Sequence, residues 1–124
     1  MKRKILLVED DSFLSDIYQV KMTNEGFEVT AAMNGVEAIE SLEKGLNPDL
    51  ILLDIIMPYM DGMEVLRRVK SSADWKSIPV VLLTNLSEKS QIEECMALGA
   101  SEYLVKSHYT PSKVVEKIYS LLNK

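Results

Sequence analysis

Residues 50–58 read LILLDIIMP and carry the clearest structural signal in the chain. The first four of them are apolar without interruption, which is typical of a strand buried on both faces of a parallel sheet. Asp54 follows them directly. Because a buried charge without a partner is costly, a carboxylate at this position indicates a chemical role in preference to a structural one.

Similar runs recur along the chain and alternate with helical patterns. Three more runs are almost wholly apolar and a fourth alternates in polarity: Ile5 to Val8, Val80 to Leu83, Tyr103 to Val105, and the alternating Phe27 to Ala31. Apolar residues at helical spacing lie between and after these runs, and each set predicts the apolar face of a helix. The sets are Leu14, Ile17 and Val20; Val36, Ile39 and Leu42; Met63, Leu66 and Val69; Ile92, Met96 and Gly99; and Val114, Ile118 and Leu121.

Five βα units in strict alternation predict an α/β fold. We expect a doubly wound, five-stranded parallel sheet of the flavodoxin-like type, with helices on both faces. Right-handed crossovers and the placement of the two weaker strands at the edges favour the strand order 2-1-3-4-5. Turn residues agree with these limits, because Asp61 and Thr110 predict helix N-caps and Gly99 is typical of a residue that closes a helix.

Composition limits the class of protein. The 124 residues suit one domain, and we expect a single domain over residues 1–124. The net charge of −5 argues against direct nucleic-acid binding, which needs a basic face. No apolar run approaches the ~20 residues of a membrane span, so we expect no membrane insertion. The single cysteine, Cys95, excludes an internal disulfide, and we therefore expect a reduced, cytoplasmic protein.

Polar side chains follow four of the predicted strands. Glu9 and Asp10 come after the first strand, Asp54 after the third, Thr84 after the fourth and Lys106 after the fifth. In open α/β sheets the carboxyl ends of the strands meet at one edge, and ligands bind there at the switch between strands 1 and 3. The sequence therefore predicts a pocket that holds carboxylates, a hydroxyl and an ammonium group.

These groups fit a metal-assisted reaction of phosphate. Gathered carboxylates repel one another unless they keep a proton or share a cation, and Mg²⁺ takes one or two carboxylates while keeping several waters. Asp54 is a candidate nucleophile, since carboxylates form acyl phosphates, and Lys106 supplies a second positive charge while Thr84 supplies a hydroxyl donor. Phosphoryl transfer needs little from a protein beyond positioning and charge neutralisation, and these residues provide both.

Taken together and in this order, the motifs resemble the receiver domain of two-component response regulators, of the stand-alone, single-domain type. The segments that carry the resemblance are ILLVEDD at 5–11, LLDIIMP at 52–58, MDG at 60–62, LT at 83–84, GA at 99–100 and YLVK at 103–106. The resemblance implies that Asp54 accepts a phosphoryl group from the phosphohistidine of a sensor histidine kinase or a phosphotransfer protein. It also implies Mg²⁺ bound by Asp10, Asp54 and the backbone carbonyl of Ile56, with Glu9 acting partly through water.

The same resemblance implies a conformational switch. Thr84 and Tyr103 would form the switch pair, and Lys106 would bind the phosphoryl group. Their movement would shift the face made of helix 4, strand 5 and helix 5, which would control a downstream protein target or a phosphorylation-dependent homodimer. Such a chain catalyses its own aspartyl phosphorylation and autodephosphorylation without being a metabolic enzyme.

Some residues depart from the family pattern or leave other functions open. Ser107 stands where the family usually has proline, and we expect a trans link there because a non-proline cis bond costs about 2.5–4 kcal/mol. Asn85 replaces a small residue and bears on access to the phosphate. Asp11 is expected to start the turn into helix 1 and not to bind the metal.

Three alternative functions differ in class from this switch. One alternative is a receiver-like scaffold that binds partners without phosphate-dependent switching. A phosphatase of the haloacid dehalogenase type would need a second aspartate where Ile56 stands. A flavodoxin would need a Ser/Thr/Gly phosphate loop where acidic residues follow strand 1.

Overall fold

A computed structural model describes residues 2–57, 59–85 and 89–123. Pro58, which belongs to the segment 52–58 quoted above, lies outside the described residues. Within the described ranges, strands and helices alternate in the predicted order. No helix in those ranges is both long enough and apolar enough to cross a membrane.

All the described strands belong to one parallel sheet. The strands are β1 (Lys4–Val8), β2 (Glu28–Ala32), β3 (Leu50–Asp54), β4 (Val80–Thr84) and β5 (Glu102–Val105). Their order is β2-β1-β3-β4-β5, and every neighbouring pair is parallel. The predicted doubly wound α/β fold and the order 2-1-3-4-5 are therefore confirmed.

Capping side chains fix where several of the helices begin. They are α1 (Ser12–Asn24), α2 (Gly35–Glu43), α3 (Gly62–Ser71), α4 (Lys89–Leu98) and α5 (Pro111–Leu122). The side chains of Asp11, Asp61 and Thr110 accept hydrogen bonds from backbone N–H groups in the first turns of α1, α3 and α5. These groups would otherwise lack partners, so each cap stabilises its helix and fixes where it begins. The predicted caps at Asp61 and Thr110 are confirmed.

The sheet separates two apolar clusters, because alternate residues of a strand point to opposite faces. Helices α1 and α5 cover one face, and their buried residues pack with Ile5, Leu7, Leu52 and Leu104. Helices α2, α3 and α4 cover the other face. We call these the α1–α5 face and the α2–α4 face. Successive side chains at the end of each strand therefore point alternately to the α1–α5 face and to the α2–α4 face.

Three residues of the predicted helix faces lie at the surface. Val20 is 60% exposed, Val36 is 42% exposed and Met96 is 36% exposed. On α1 the buried apolar side chains are Tyr18 and Met22 instead. Apolar residues occur on more than one side of α1, so a spacing of three residues fits two faces, and the face with the larger aromatic side chain is the buried one.

Candidate functional site

Three charged residues at the carboxyl edge share one face of the sheet. Glu9 follows Leu7 by two positions, Asp54 is two positions after Leu52, and Lys106 is two positions after Leu104. Those three leucines all belong to the cluster on the α1–α5 face. Because side chains alternate along a strand, their successors point the same way and meet above this cluster. We call Glu9, Asp54 and Lys106 the charge cluster.

The members of the charge cluster are in direct contact. Lys106 Nζ donates to Glu9 Oε1 at 2.9 Å and to Asp54 Oδ2 at 3.0 Å. Glu9 is fully buried, Asp54 is 7% exposed and the Lys106 side chain is 20% exposed. The ammonium therefore links two carboxylates that are separated from it by 97 and 52 positions in the sequence. The structure places these three charged groups together at the carboxyl edge of the sheet.

Burial and charge set the protonation of this cluster. The pKa of Glu9 is raised to about 7. Burial is the largest cause, the neighbouring Asp54 carboxylate also raises this pKa, and the Lys106 ammonium lowers it. For Lys106, burial acts to lower the pKa, but the hydrogen bond to Glu9 and the charges of Asp54 and Glu9 outweigh it and raise the pKa. Lys106 therefore stays cationic at neutral pH, whereas Glu9 gains or loses its proton near neutral pH.

The acidic residues have the arrangement of a cation site. One carboxylate oxygen each from Glu9, Asp10 and Asp54 lies within 4.8 Å of the others. Glu9 Oε2 is buried and has no hydrogen-bond partner among the described residues. A buried carboxylate oxygen without a donor is costly, and a hard divalent cation with its waters would satisfy it. Asp10 lies at the exposed side, where such an ion can keep its waters.

The backbone at the start of α3 packs closely on the end of β3. The Ile55 carbonyl accepts a hydrogen bond from the Gly62 N–H at 2.7 Å, whereas no backbone hydrogen bond to the Ile56 carbonyl occurs within the described ranges. Among the described residues, no backbone donor therefore competes with another ligand for the Ile56 oxygen. A Cβ at position 62 would collide with the Asp54 carbonyl oxygen, so only glycine permits this close approach. No sequence pattern indicated this role of Gly62.

Thr84 and Tyr103 lie on the other face of the sheet. Thr84 pairs in register with Val105, and Tyr103 with Leu82, so the two side chains are diagonal neighbours on the α2–α4 face. Thr84 is almost fully buried, and its Oγ1 donates to the Asn85 carbonyl at 3.2 Å. Tyr103 is 45% exposed. We call Thr84 and Tyr103 the switch side, and no hydrogen bond joins it to the charge cluster within the described ranges.

A groove borders Tyr103. Its volume is about 870 Å³, and its walls come from α4, β5 and the connection to α5. The apolar and aromatic residues that line it include Ile92, Met96, Tyr103, Val105 and Tyr109. The exposed side of Met96, which the helical spacing placed in the core, is one wall of this groove.

Two of the connections around the site have the backbone form that the sequence predicts, and a third does not. Asp11 caps α1 through hydrogen bonds to the N–H groups of Phe13 and Leu14, as its predicted place at the start of the helix requires. No cis peptide bond occurs in the described ranges, so the Lys106–Ser107 link is trans as expected. Tyr59 has a φ of +67°, a left-handed conformation that no sequence signal indicated.

Comparisons with known proteins agree with this geometry. The family model described as the response regulator receiver domain matches residues 5–119. The phosphate regulon transcriptional regulatory protein PhoB of Rhizobium meliloti is 34% identical over 124 residues, which are 100% of this chain and 54% of PhoB. The chain thus spans about half the length of that relative.

Solved structures agree over nearly the whole chain. The CheY-like receiver domain protein of Methanospirillum hungatei has a TM-score of 0.89 and 26% identity, with 99% of this chain and 95% of that chain covered. The phosphorylated cyanobacterial phytochrome response regulator RcpA has a TM-score of 0.85 and 32% identity, with 98% and 91% covered. With its sheet order, its buried acidic edge and the matching family model, the chain belongs to the response regulator receiver domains.

Proposed function

We propose that this chain is a phosphorylation switch in which Asp54 accepts a phosphoryl group from the phosphohistidine of a sensor histidine kinase or a phosphotransfer protein. The observation that carries the proposal is the pair of hydrogen bonds from the Lys106 ammonium to Glu9 and Asp54 at the carboxyl edge of the sheet. A buried nucleophile beside a fixed cation is what the transfer of a charged group requires. The likeness to a phosphorylated response regulator supports the same reading.

The residues present supply most of what the reaction needs. An Asp54 carboxylate oxygen attacks phosphorus, a new P–O bond forms, and the bond from phosphorus to the donor nitrogen breaks with its electron pair left on the imidazole. The Lys106 ammonium is 3.0 Å from Asp54 Oδ2, close enough to neutralise charge on the transferred group. Thr84, the last residue of β4, would turn its hydroxyl from the Asn85 carbonyl towards a phosphoryl oxygen.

The acidic cluster fits Mg²⁺. Asp10, Asp54 and the Ile56 carbonyl would hold the ion, and Glu9 would bind it partly through water. Bound there, the ion would supply positive charge that neutralises the carboxylates and the transferred group. The fit rests on the close carboxylate oxygens and on the unpaired Glu9 Oε2.

The signal would pass to the surface through the switch side. Movement of Thr84 towards Asp54 empties space on the α2–α4 face, and Tyr103 can turn inward from its half-exposed position to fill it. The groove between α4 and β5 would change shape as the ring leaves its wall. We propose that a downstream protein, or a second copy of the chain, reads this change.

Surface side chains near the site offer contacts to the phosphoryl donor. Phe13, in the first turn of α1, is 73% exposed, and Ile56, two residues after Asp54, is 49% exposed. Exposed apolar side chains beside a reactive carboxylate suit a protein donor that must cover the site while it transfers its phosphoryl group.

The decisive experiment is chemical phosphorylation followed by mass spectrometry. We expect the chain, incubated with Mg²⁺ and acetyl phosphate, to gain one phosphoryl group, and Asp54→Asn to gain none. Asp74→Asn, which changes an exposed aspartate in the α3–β4 connection, is the matched control and should react like the wild type. An adduct of equal yield in Asp54→Asn would refute the assignment.

A receiver-like scaffold without switching is the alternative that this experiment must separate. It predicts that partner binding is the same with and without the phosphoryl mimic beryllofluoride. Phosphorylation that leaves partner affinity unchanged would favour the scaffold.

A further inference from the structure

The backbone N–H of Gly35 makes a hydrogen bond outside its own helix. Gly35 is buried and is the first residue of α2, and the N–H groups in the first turn of a helix have no acceptor within it. The Asn34 side chain accepts from the Glu37 N–H of that turn. The Gly35 N–H instead donates to the Met60 carbonyl at 3.1 Å. The start of α2 is therefore bonded to the loop between β3 and α3.

This contact leaves room for glycine alone. A Cβ at position 35 would collide with the Met60 carbonyl oxygen, and it would lie 2.7 Å from Val65 Cγ2. The carbonyl is part of the backbone and cannot rotate away as the end of a flexible side chain can, so the loop or the helix would have to shift. Gly35 is not among the glycines with a positive φ. The close approach, and not the backbone conformation, is therefore what requires glycine here.

The loop is held on both sides of Ile56. On one side the Ile55 carbonyl accepts from the Gly62 N–H at 2.7 Å, and on the other the Met60 carbonyl accepts from the Gly35 N–H at 3.1 Å. The Ile56 carbonyl, between these two points, is the backbone group that would bind Mg²⁺ in the proposed function. A ligand in a loop that is held at both ends samples fewer positions, so less conformational entropy is lost when an ion binds.

The second of these bonds comes from an element that supplies no charged group to the site. The charge cluster and Asp10 belong to the ends of β1, β3 and β5 or to the residues that follow them, whereas Gly35 begins α2. We propose that Gly35 is a positioning residue for the Mg²⁺ site, whose N–H holds the Met60 carbonyl and thereby fixes the loop that carries Ile56. The inference rests on the proposed function, because the Ile56 carbonyl binds an ion only there.

Mg²⁺ titration of Gly35→Ala tests the proposal. Amide resonances of Glu9 and Asp10, followed by NMR in isotopically labelled protein, give the Mg²⁺ Kd with no phosphoryl donor present. The added methyl group pushes the Met60 carbonyl away, and we expect the Kd to rise about tenfold, as is typical when a group that supports a metal ligand is lost. An unchanged Kd in folded Gly35→Ala would overturn the proposal.

The matched control is Gly26→Ala, in the turn between α1 and β2. A Cβ at position 26 would meet nothing within 4 Å, but the φ of +92° strains any residue other than glycine. This variant should lose stability in urea unfolding and keep the wild-type Kd. A Kd that rises as much in Gly26→Ala as in Gly35→Ala would show that the metal site responds to any loss of stability, and the positioning role would be wrong.

Hydrogen exchange of the Gly35 N–H tests the same link in the unaltered chain. Coupling between two sites is reciprocal, so saturating Mg²⁺ should slow the exchange of this N–H by about the same factor of ten. The Gly45 N–H, which donates to the Leu42 carbonyl in the turn after α2, is the control and should not respond. A Gly35 exchange rate that does not change with Mg²⁺ would overturn the coupling, even if Gly35→Ala fails to fold.

These measurements separate failure of this inference from failure of the proposed function, because none of them needs phosphoryl transfer. A wild-type chain that binds Mg²⁺ but gains no phosphoryl group would contradict the proposed function, and the Kd and the exchange rate would still decide the role of Gly35. A wild-type chain that gains a phosphoryl group and has the same Kd as Gly35→Ala would overturn the role of Gly35 alone. A chain that binds no Mg²⁺ would overturn the metal site and this inference with it.

Discussion

The charge cluster and the switch side lie at the same edge of the sheet, but only the side chains of the charge cluster are joined to one another by hydrogen bonds in the part of the chain that the structure describes. On the α1–α5 face, Lys106 joins Glu9 and Asp54 through two hydrogen bonds. On the α2–α4 face, Thr84 donates to the carbonyl of the next residue, and Tyr103 is half exposed. Opposite charges brought together in a buried place must pair, because an unpaired one is costly, whereas a hydroxyl and a surface ring have several positions of similar free energy. The charge cluster is therefore the fixed half of the site, and the switch side is the half that is free to respond.

Removal of the Lys106 ammonium tests whether the charge cluster is the fixed half of the site. In metal-free buffer at pH 8, we expect Lys106→Met to lower the free energy of unfolding by about 3–5 kcal/mol, because two buried carboxylates lose their shared partner. Urea unfolding followed by circular dichroism measures this change. Lys113→Met, at an exposed position of α5, is the matched control and should stay within about 0.5 kcal/mol of the wild type. A loss below about 1 kcal/mol for Lys106→Met would mean that the charge cluster is not the fixed half.

Titration of Glu9 gives the second largest effect. The pKa of Glu9 is about 7 in the folded chain against 4.5 for an ordinary glutamate, so the folded state holds more protons between these pH values. Stability therefore falls as pH rises from about 5 to 8, by at most about 3 kcal/mol in the absence of metal. Unfolding curves collected across this range in chelator measure the fall. Glu9→Gln should flatten the pH dependence, and a slope equal to that of the wild type would contradict the assignment to Glu9.

The fixed half of the site was also the more predictable half. Glu9, Asp54 and Lys106 could be placed together from sequence because each follows an apolar run, and parallel strands bring their carboxyl ends to one edge. The sequence pattern did not distinguish the two faces of that edge, since a one-residue change in a strand end moves a side chain to the other face. The separation of Thr84 from the charge cluster therefore had to come from the register of β4 with β5.

Helix faces were less predictable for a related reason. On α1 the apolar pattern includes both Val20 and Met22, and only the packing of Tyr18 and Met22 on the sheet selects the buried side. Close approaches of backbone to backbone leave no periodic signal either. Gly62 against the Asp54 carbonyl and the left-handed Tyr59 both depend on the path of the β3–α3 loop, which no spacing rule describes.

Asp10 tests the effect of a carboxylate charge that is not paired with Lys106. It is the exposed member of the acidic group and has no part in the two hydrogen bonds of Lys106. Without Mg²⁺, Asp10→Ala should be neutral or stabilising, since it relieves repulsion between like charges. With Mg²⁺ at ten times its dissociation constant, the wild type should gain about 1.4 kcal/mol by mass action, and the variant should gain less. Thermal unfolding with and without Mg²⁺ measures both effects, and an equal gain in both proteins would count against the metal site.

We expect the smallest changes in the free energy of unfolding at the switch side. Substitutions there should alter the response of Tyr103 while leaving the fold stable. Among the described residues, the Thr84 hydroxyl bonds the adjacent carbonyl alone, so we expect Thr84→Val to lower the free energy of unfolding by less than about 1 kcal/mol in urea unfolding. The same variant should still accept a phosphoryl mimic at Asp54 but should no longer move Tyr103, because without its hydroxyl the side chain at position 84 is not drawn towards the mimic and leaves no space for the ring. The Tyr103 ring resonance, followed as beryllofluoride and Mg²⁺ are added, measures that movement, with Thr84→Ser as the variant that keeps the hydroxyl and should respond like the wild type. A Tyr103 response that survives in Thr84→Val would show that the surface is coupled to the charge cluster by another route, and the two halves of the site would then not be the separate parts that their geometry indicates.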